Sequence, residues 1–216
     1  MSSTSEGTRR RAGRKRDPRV EPLVLSAALE IYALQGWRGL TFDAVARAAK
    51  IGKPAIYRRW ESRELLLVSA FNRTNFPTAR DMGSLEADVR DYHAQWLDWY
   101  AAPFLPQAGN RILVDCTSND ELDRLYREMV IGPRTRAARQ VTRRAIARGE
   151  LDPRTSPATL PDLILGGMFM HWVFAPDREE PAFAASFEKE SAALVEVILQ
   201  GLRHGSGEPA EEESDA

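Results

Sequence analysis

The chain carries a single cysteine, Cys116, in 216 residues, so an internal disulfide is excluded. A lone thiol without CxxC or Cys/His spacing is also a poor metal-binding set, and this cysteine usage fits a reducing cytoplasm. The three histidines, His93, His171 and His204, are far apart and form no HExxH or i, i+4 pair, which leaves no seat for zinc or for a histidine base. GxSxG, P-loop and GxGxxG patterns are absent as well, so neither a cofactor nor a catalytic centre is expected. The longest apolar run, Leu163 to Ala175, falls short of the roughly 20 residues of a membrane helix. It is interrupted by His171 and is read as a buried helix. Met1 to Arg16 has no apolar core of its own, so no secretory signal and no membrane association are expected. No segment alternates apolar and polar residues as a run of strands would.

The 43% apolar content is ample for a buried core. A net charge of −1 conceals a strong asymmetry: Met1 to Arg63 holds 14 Lys/Arg against 6 Asp/Glu, whereas the remainder holds 16 against 25. Arg9, Arg10, Arg11, Arg14, Lys15 and Arg16 crowd a Ser/Gly-rich stretch, and residues 1–19 are expected to be a disordered basic arm able to follow phosphates. Residues 206–216 are acidic, poor in apolar side chains and expected to be a disordered tail.

Helical periodicity begins at Val20, where Val20, Leu23, Val24, Ala27, Ala28, Ile31 and Tyr32 share one stripe. This first helix is expected to end near Gln35, with Gly36 as a left-handed terminator. Thr41 reads as an N-cap for a short helix over about 42–49, with Asp43 in its first turn. Pro54 is tolerable only in a first turn, so a third helix should run from about Lys53 to Arg59 after a turn containing Gly52. Ser62 caps a fourth helix. Two short helices across a tight turn, packed on a third, form a helix-turn-helix, whose second helix enters the DNA major groove. On a 3.6 period Ile56 and Trp60 face inward, leaving Pro54, Ala55, Tyr57 and Arg58 outward. Small Pro54 and Ala55 suit close approach to base edges, Lys53 and Arg58 suit guanine, and Tyr57, Arg59 and Arg63 suit phosphates. Thr41 and Arg63 also stand at helix starts, where a positive dipole end favours an anion.

Gly39-Leu40-Thr41 with Val45-Ala46, then Ile51 to Trp60, then Ser62-Arg63-Glu64-Leu65, resemble the DNA-binding head of the TetR/AcrR family over about 50 residues. Gly52 stands where that family commonly has a capping serine and Trp60 where phenylalanine is usual; a glycine cap costs little. The resemblance implies that Thr41, Lys53, Pro54, Ala55, Tyr57, Arg58, Arg59 and Arg63 face DNA, with Tyr57 and Arg63 on phosphates. It further implies an all-α fold of about nine helices: a three-helix head at 20–66 and a helical body at 67–205 that dimerises and binds a small effector. Gly83-Ser84-Leu85 and the Arg143-Arg144-Ala145 segment leading to Arg148-Gly149-Glu150-Leu151 resemble a subgroup of the family's bodies.

In the body, helices are expected over about 85–101, 107–117 and 120–131, with Pro133 kinking a segment that continues to Arg148. Two more follow, through Phe174 and from Pro181 to Leu202. Phe187, Ser191, Leu194, Val195, Ile198 and Leu202 form one stripe on the last helix: by the resemblance a dimer face, otherwise a seal on the subunit's own core. Trp96, Trp99, Tyr100, Phe104, Tyr126, Met129, Met168, His171 and Trp172 are candidates to line a pocket for an apolar or aromatic effector, or else to fill the core. A symmetric dimer would present two recognition helices about 34–36 Å apart and so read an inverted-repeat operator in double-stranded DNA. The expected function is a transcriptional repressor released by its effector. Two alternatives remain open at this point: a helical enzyme using Cys116, Tyr126 and His171, which lack catalytic spacing, and a protein-interaction module with a basic arm.

Overall fold

The computed structural model describes residues 17 to 205, except 177, 179 and 181. The arginine cluster at 9–16 and the tail at 206–216 lie outside the described residues. Within them the chain is all helical: α1 (Val20–Gly39), α2 (Phe42–Ala49), α3 (Lys53–Tyr57), α4 (Arg63–Asn72), α5 (Leu85–Ala101), α6 (Leu105–Asp115), α7 (Asp120–Tyr126), α8 (Gly132–Ala138), α9 (Gln140–Ala147), α10 (Thr159–Phe174) and α11 (Phe183–Gly205). A single π-helical turn, Arg127–Ile131, joins α7 to α8. The expected nine helices become eleven because one long rod from Asp120 to Ala147 is broken twice, by the π turn before Pro133 and again at Arg139. Proline lacks the N–H that a regular ladder needs, and the extra residue of a π turn is one way to absorb the mismatch.

Side-chain caps start the helices where short polar residues stand. Thr41, Ser62 and Ser84 each accept from the backbone N–H three residues on, at 3.1–3.2 Å, and Asn119 does the same for α7 at 3.0 Å. Gly36 takes the left-handed backbone (φ 68°) expected of it, but one further turn follows before Leu40, so α1 runs on to Gly39 with a kink at Gly36. At the turn between α2 and α3 the left-handed residue is Lys50 (φ 54°), whereas Gly52 is extended. The turn therefore bends at its first position, and Gly52 serves only as the cap of α3.

Two cores result. One gathers α1 to α4 with α6, α7 and the π turn, around Tyr32, Leu40, Ile56, Leu66, Phe71, Ile112 and Leu122. The other joins α5, α9, α10 and α11 around Trp96, Val141, Leu160, Ile164 and Met168. Packing thus continues across residue 66, where the sequence pattern changes. Helix α6 lies against α1 along Ala108 and Ile112, and Arg111 Nε donates to the Ala33 carbonyl at 2.9 Å. Tyr32 donates its hydroxyl to Asp115 at 2.7 Å from the same side.

An ion cluster ties the start of α5 to the end of α9. Asp88, its side chain fully buried, accepts from the Met82 N–H at 2.6 Å, from Arg148 at 3.0 Å and from Arg144 at 3.4 Å. Glu150 closes the cluster by accepting from Arg148 and from the Leu85 N–H at 2.9 and 2.8 Å. The Arg143 to Leu151 motif read from the sequence supplies three of these groups.

The stripe expected as a dimer face is placed otherwise. Phe187, Ser191, Val195 and Ile198 are buried within the subunit, Leu194 and Leu202 are half-buried, and Ser191 bonds His93 at 2.9 Å. A side chain such as Val195, only 1% exposed, has no surface left to give a partner. The stripe seals the second core. Among the described residues, the large apolar side chains left exposed on α10 and α11 are Leu163, Met170, Phe174 and Val197.

Candidate nucleic-acid interface and cavity

The position of α3 is set by its inward residues. Ile56 is fully buried and Trp60 nearly so, anchoring a five-residue helix against α1, α2 and α4. Beyond Tyr57 the chain leaves the helix. The Arg59 and Trp60 N–H groups both bond the Ile56 carbonyl, and the extended Ser62 required to cap α4 ends any continuation. The expected helix to Arg59 is thus shorter by two residues.

Lys53, Pro54, Tyr57 and Arg58 are exposed and Ala55 half-exposed, all from α3 and its C-terminal cap. Two contacts from α2 orient it. The Phe42 and Tyr57 rings lie 4.7 Å apart, and Lys53 pairs with Asp43 at 2.7 Å in a pair half open to solvent. Thr41 is exposed, and its hydroxyl oxygen accepts from Ala44 N–H while its own hydrogen remains free to donate.

Arg59 and Arg63 are oriented differently. Arg59 donates to the Ala55 carbonyl at 2.9 Å and, more weakly, to the Asp17 carbonyl at 3.4 Å. Arg63 donates to the Leu40 carbonyl at 3.1 Å and lies over the Trp37 ring at 4.6 Å, closing the end of α1. Both guanidiniums already serve the head's own backbone, so any phosphate contact shares donors with these bonds.

In the body, a cavity of about 410 Å³ opens among α5, α6, α10 and the π turn. Of the sequence candidates it gathers Trp96, Trp99, Tyr100 and Tyr126. Phe104 and Trp172 line a separate, wider groove with Phe187, and Met129 borders a polar hollow beside Arg58 and Arg59. Met168 is fully buried core, while His171 is exposed and stacked 5.6 Å from Phe187. These five do not reach the cavity, because they stand on other helix faces than its walls. Phe76, Gly109, Asn110, Leu165 and Phe169 do line it and were not singled out from the sequence. For Gly109 the missing signal is spatial: a Cβ there would meet the Trp99 ring at 2.8 Å, so the glycine makes room for the indole. Burial raises the Tyr100 and Tyr126 phenols well above their ordinary value, and both stay neutral.

Cys116, Tyr126 and His171, the residues an enzyme would need, do not share a site. Tyr126 faces this cavity and also belongs to the first core, where Cys116 borders it, whereas His171 is exposed on α10 and stacks on Phe183 and Phe187.

Residues 24–70 match the sequence profile described as "Bacterial regulatory proteins, tetR family", and residues 79–189 match "Tetracyclin repressor-like, C-terminal domain". The chain belongs to the TetR family. A relative in sequence is the HTH-type transcriptional regulator AqdR of Rhodococcus erythropolis, 30% identical over 71% of this chain and 73% of that one. Another regulator, YdeS of Bacillus subtilis, whose function is uncharacterised, is 27% identical over 79% of this chain and 87% of its own. A TetR-family regulator from Rhodococcus sp. superposes with a TM-score of 0.67 at 17% identity, covering 85% of this chain and 98% of that one. The regulator FadR from Bacillus subtilis, solved in complex with stearoyl-CoA, superposes with a TM-score of 0.68 at 16% identity over 83% and 98%. At such identities these structures share the fold alone. As a TetR-family protein the chain is a DNA-binding transcriptional regulator, with the helix-turn-helix in α2 and α3. No described helix is long and apolar enough to cross a membrane.

Proposed function

We propose that this TetR-family protein is a cytoplasmic homodimeric repressor that holds an inverted-repeat operator through paired α3 helices and releases it when a small apolar or aromatic molecule occupies the body cavity. The observation that carries the DNA reading is the exposure of Lys53, Pro54, Tyr57 and Arg58 on an element rigidly seated by Ile56 and Trp60. Lys53 and Arg58 donate to base edges, Pro54 and Ala55 allow close approach, and Tyr57 and Thr41 donate to phosphates. Arg59 and Arg63 contribute charge near the backbone while bracing the head. The arm at 1–19 adds a second basic contact, the head at 20–66 carries the DNA role, and the body at 67–205 carries the effector and dimer roles.

Dimerisation uses the outer face of α10 and α11, where Leu163, Met170, Phe174 and Val197 stay exposed and a Cβ at Gly201 would meet open space. Apolar groups of this size crowded on two neighbouring helices are a feature of association surfaces. The cavity lies on the far side of α6 from the head, with Asn110 and Leu113 on its wall and Ala108 and Ile112 in the first core. An effector that binds one position of α6 more tightly than the other shifts the spacing of the heads, and this difference in affinity drives release. In this reading the protein acts by binding rather than by turnover.

Selection of bound duplexes from a random pool, followed by gel-shift titration, tests the reading. An inverted repeat should emerge. Arg58→Ala should change which base is preferred within each half-site, with a cost of about 1–3 kcal/mol on the best site. Recovery of no sequence preference, or equal loss on every duplex, refutes it.

A further inference from the structure

Outside the cavity, the body carries a wider groove of about 860 Å³ among the end of α5, the start of α6, α10, α11 and the loop that joins the last two. Its lining is aromatic. Buried Trp172, Phe183 and Phe187 border it together with half-buried Tyr100 and Phe104. The Tyr100 ring lies 6.1 Å from Trp172 and 5.0 Å from Phe187, which in turn lies 5.6 Å from Phe183. Tyr100 also borders the cavity, so one ring stands between two spaces that otherwise share no wall residue.

The groove is acidic as well. Asp98, Glu180 and Glu188 border it, all three exposed, against one cation, Arg178. Among the described residues none of these three carboxylates takes an ion pair or a hydrogen bond, so each is open to a partner from solution. Arg178 lies over the Trp172 ring at 5.5 Å and donates to the Val173 carbonyl at 3.0 Å. The face of an aromatic ring attracts positive charge, and the chain's own guanidinium already sits on one ring of this lining. A neutral ligand would gain only apolar contact here, and an anion would meet three like charges against one opposite. A cation with apolar surface gains from the rings and from the carboxylates together.

We propose that this groove is a second ligand site, distinct from the cavity assigned to the effector, and that it takes a lipophilic organic cation such as an N-alkylated heteroaromatic ring. The rings receive its apolar body and its charge, and Asp98, Glu180 and Glu188 select its sign. Small hydrated cations gain little, because they bring no apolar surface to the lining. Binding here does not depend on what the cavity takes or on release of DNA.

Three probes of similar outline separate the contributions: N-methylacridinium, a permanent cation; acridine, neutral in mildly alkaline buffer; and acridine carboxylate, an anion. Equilibrium dialysis against the full chain, without DNA, reads each affinity. The cation should bind roughly tenfold more tightly than acridine, and the anion more weakly than either. The double variant Asp98→Asn with Glu188→Gln, at two exposed positions, should cut the preference for the cation to about threefold and leave acridine unchanged. Ala185→Arg sets a second guanidinium on the exposed lining and should bring the cation and acridine to within about twofold of each other. Gly166→Leu, on the cavity wall where an added Cβ meets nothing within 4 Å, should leave N-methylacridinium binding unchanged. A preference for the cation that survives both groove variants, equal or tighter binding of the anion, or loss of the cation with Gly166→Leu alone overturns the proposal. Cation binding that fades as the chain concentration rises assigns the groove to a second copy, and binding seen only after removal of residues 1–16 assigns it to the basic arm; either result overturns it as well.

Discussion

Replacing Asp88 by alanine is the sharpest probe of what holds the body in register. Its carboxylate is wholly buried and accepts from the Met82 N–H and from two arginines, Arg144 and Arg148. Breaking a buried ion pair by removing one partner costs about 3–5 kcal/mol, because the remaining charge stays desolvated. Here the two guanidiniums are 22% and 24% exposed, and Arg148 keeps Glu150 and Asp81, so solvent and the remaining acids recover part of the loss. The net cost is about 2–3 kcal/mol, which for a chain of this size lowers the melting temperature by roughly 5–10 °C. Thermal unfolding followed by circular dichroism reads it directly. Asp88→Asn, which still accepts from Met82, should lose less, and Asp81→Ala, with a largely exposed carboxylate, should lose under about 1 kcal/mol. If Asp88→Ala melts within about 1 °C of the parent chain while Asp81→Ala does not, the buried cluster contributes nothing and the reasoning is wrong.

Other outcomes follow from single groups. Gly36→Ala should cost about 1–3 kcal/mol by chemical denaturation, because φ 68° with ψ −167° is a backbone region open essentially to glycine and an added Cβ meets Arg111 at 3.1 Å. An unchanged midpoint would mean that α1 straightens freely. Burial holds the His93 imidazole below its ordinary value, so the unfolded chain takes up that proton first as the pH falls. Stability should be full above about pH 6.5 and decline below it, and His93→Gln should flatten that slope; an equal slope in both proteins removes His93 as the cause. Burial pushes the Cys116 thiol up to about 11, so a thiol reagent at neutral pH should label it far more slowly than a free peptide cysteine. Phe174→Glu, at a side chain 72% exposed, should leave the melting temperature nearly unchanged and yield monomers by sedimentation; a persistent dimer would move the interface elsewhere.

Much of the head could be read before any coordinates, because its signals are local. A capping hydroxyl satisfies N–H groups within its own turn, so Thr41 and Ser62 mark helix starts regardless of what packs nearby. Ile56 and Trp60 point inward because one helical period fixes them relative to Lys53 and Arg58. The turn was less legible: glycine at 52 suggests the bend, yet Lys50 takes the left-handed conformation, since the C-terminal carbonyls of α2 accept its N–H there. In α11 the periodicity identified a buried stripe correctly, but spacing does not say whose core buries it, and Val195 and Ile198 are covered by α5 and α10 of the same chain. Asp88 shares the first turn of α5 with Glu86, and nothing local in the sequence distinguishes the two. Its burial depends on arginines about 60 residues away, a distance over which periodicity carries no information. The cavity was half legible for the same reason: Trp96, Trp99 and Tyr100 lie on one helix, but Asn110 and Phe169 reach it only through tertiary packing.

The first core runs without a seam from the recognition element into α6, α7 and the π turn. A chimera that grafts residues 20–66 onto a foreign body would strip Tyr32 and Leu66 of side chains that cover them, Phe71 among these, exposing apolar surface on the transplanted piece. Exchange of DNA specificity between relatives is therefore better done by resurfacing α3 in place, leaving Ile56 and Trp60 untouched, than by swapping the head as a cassette.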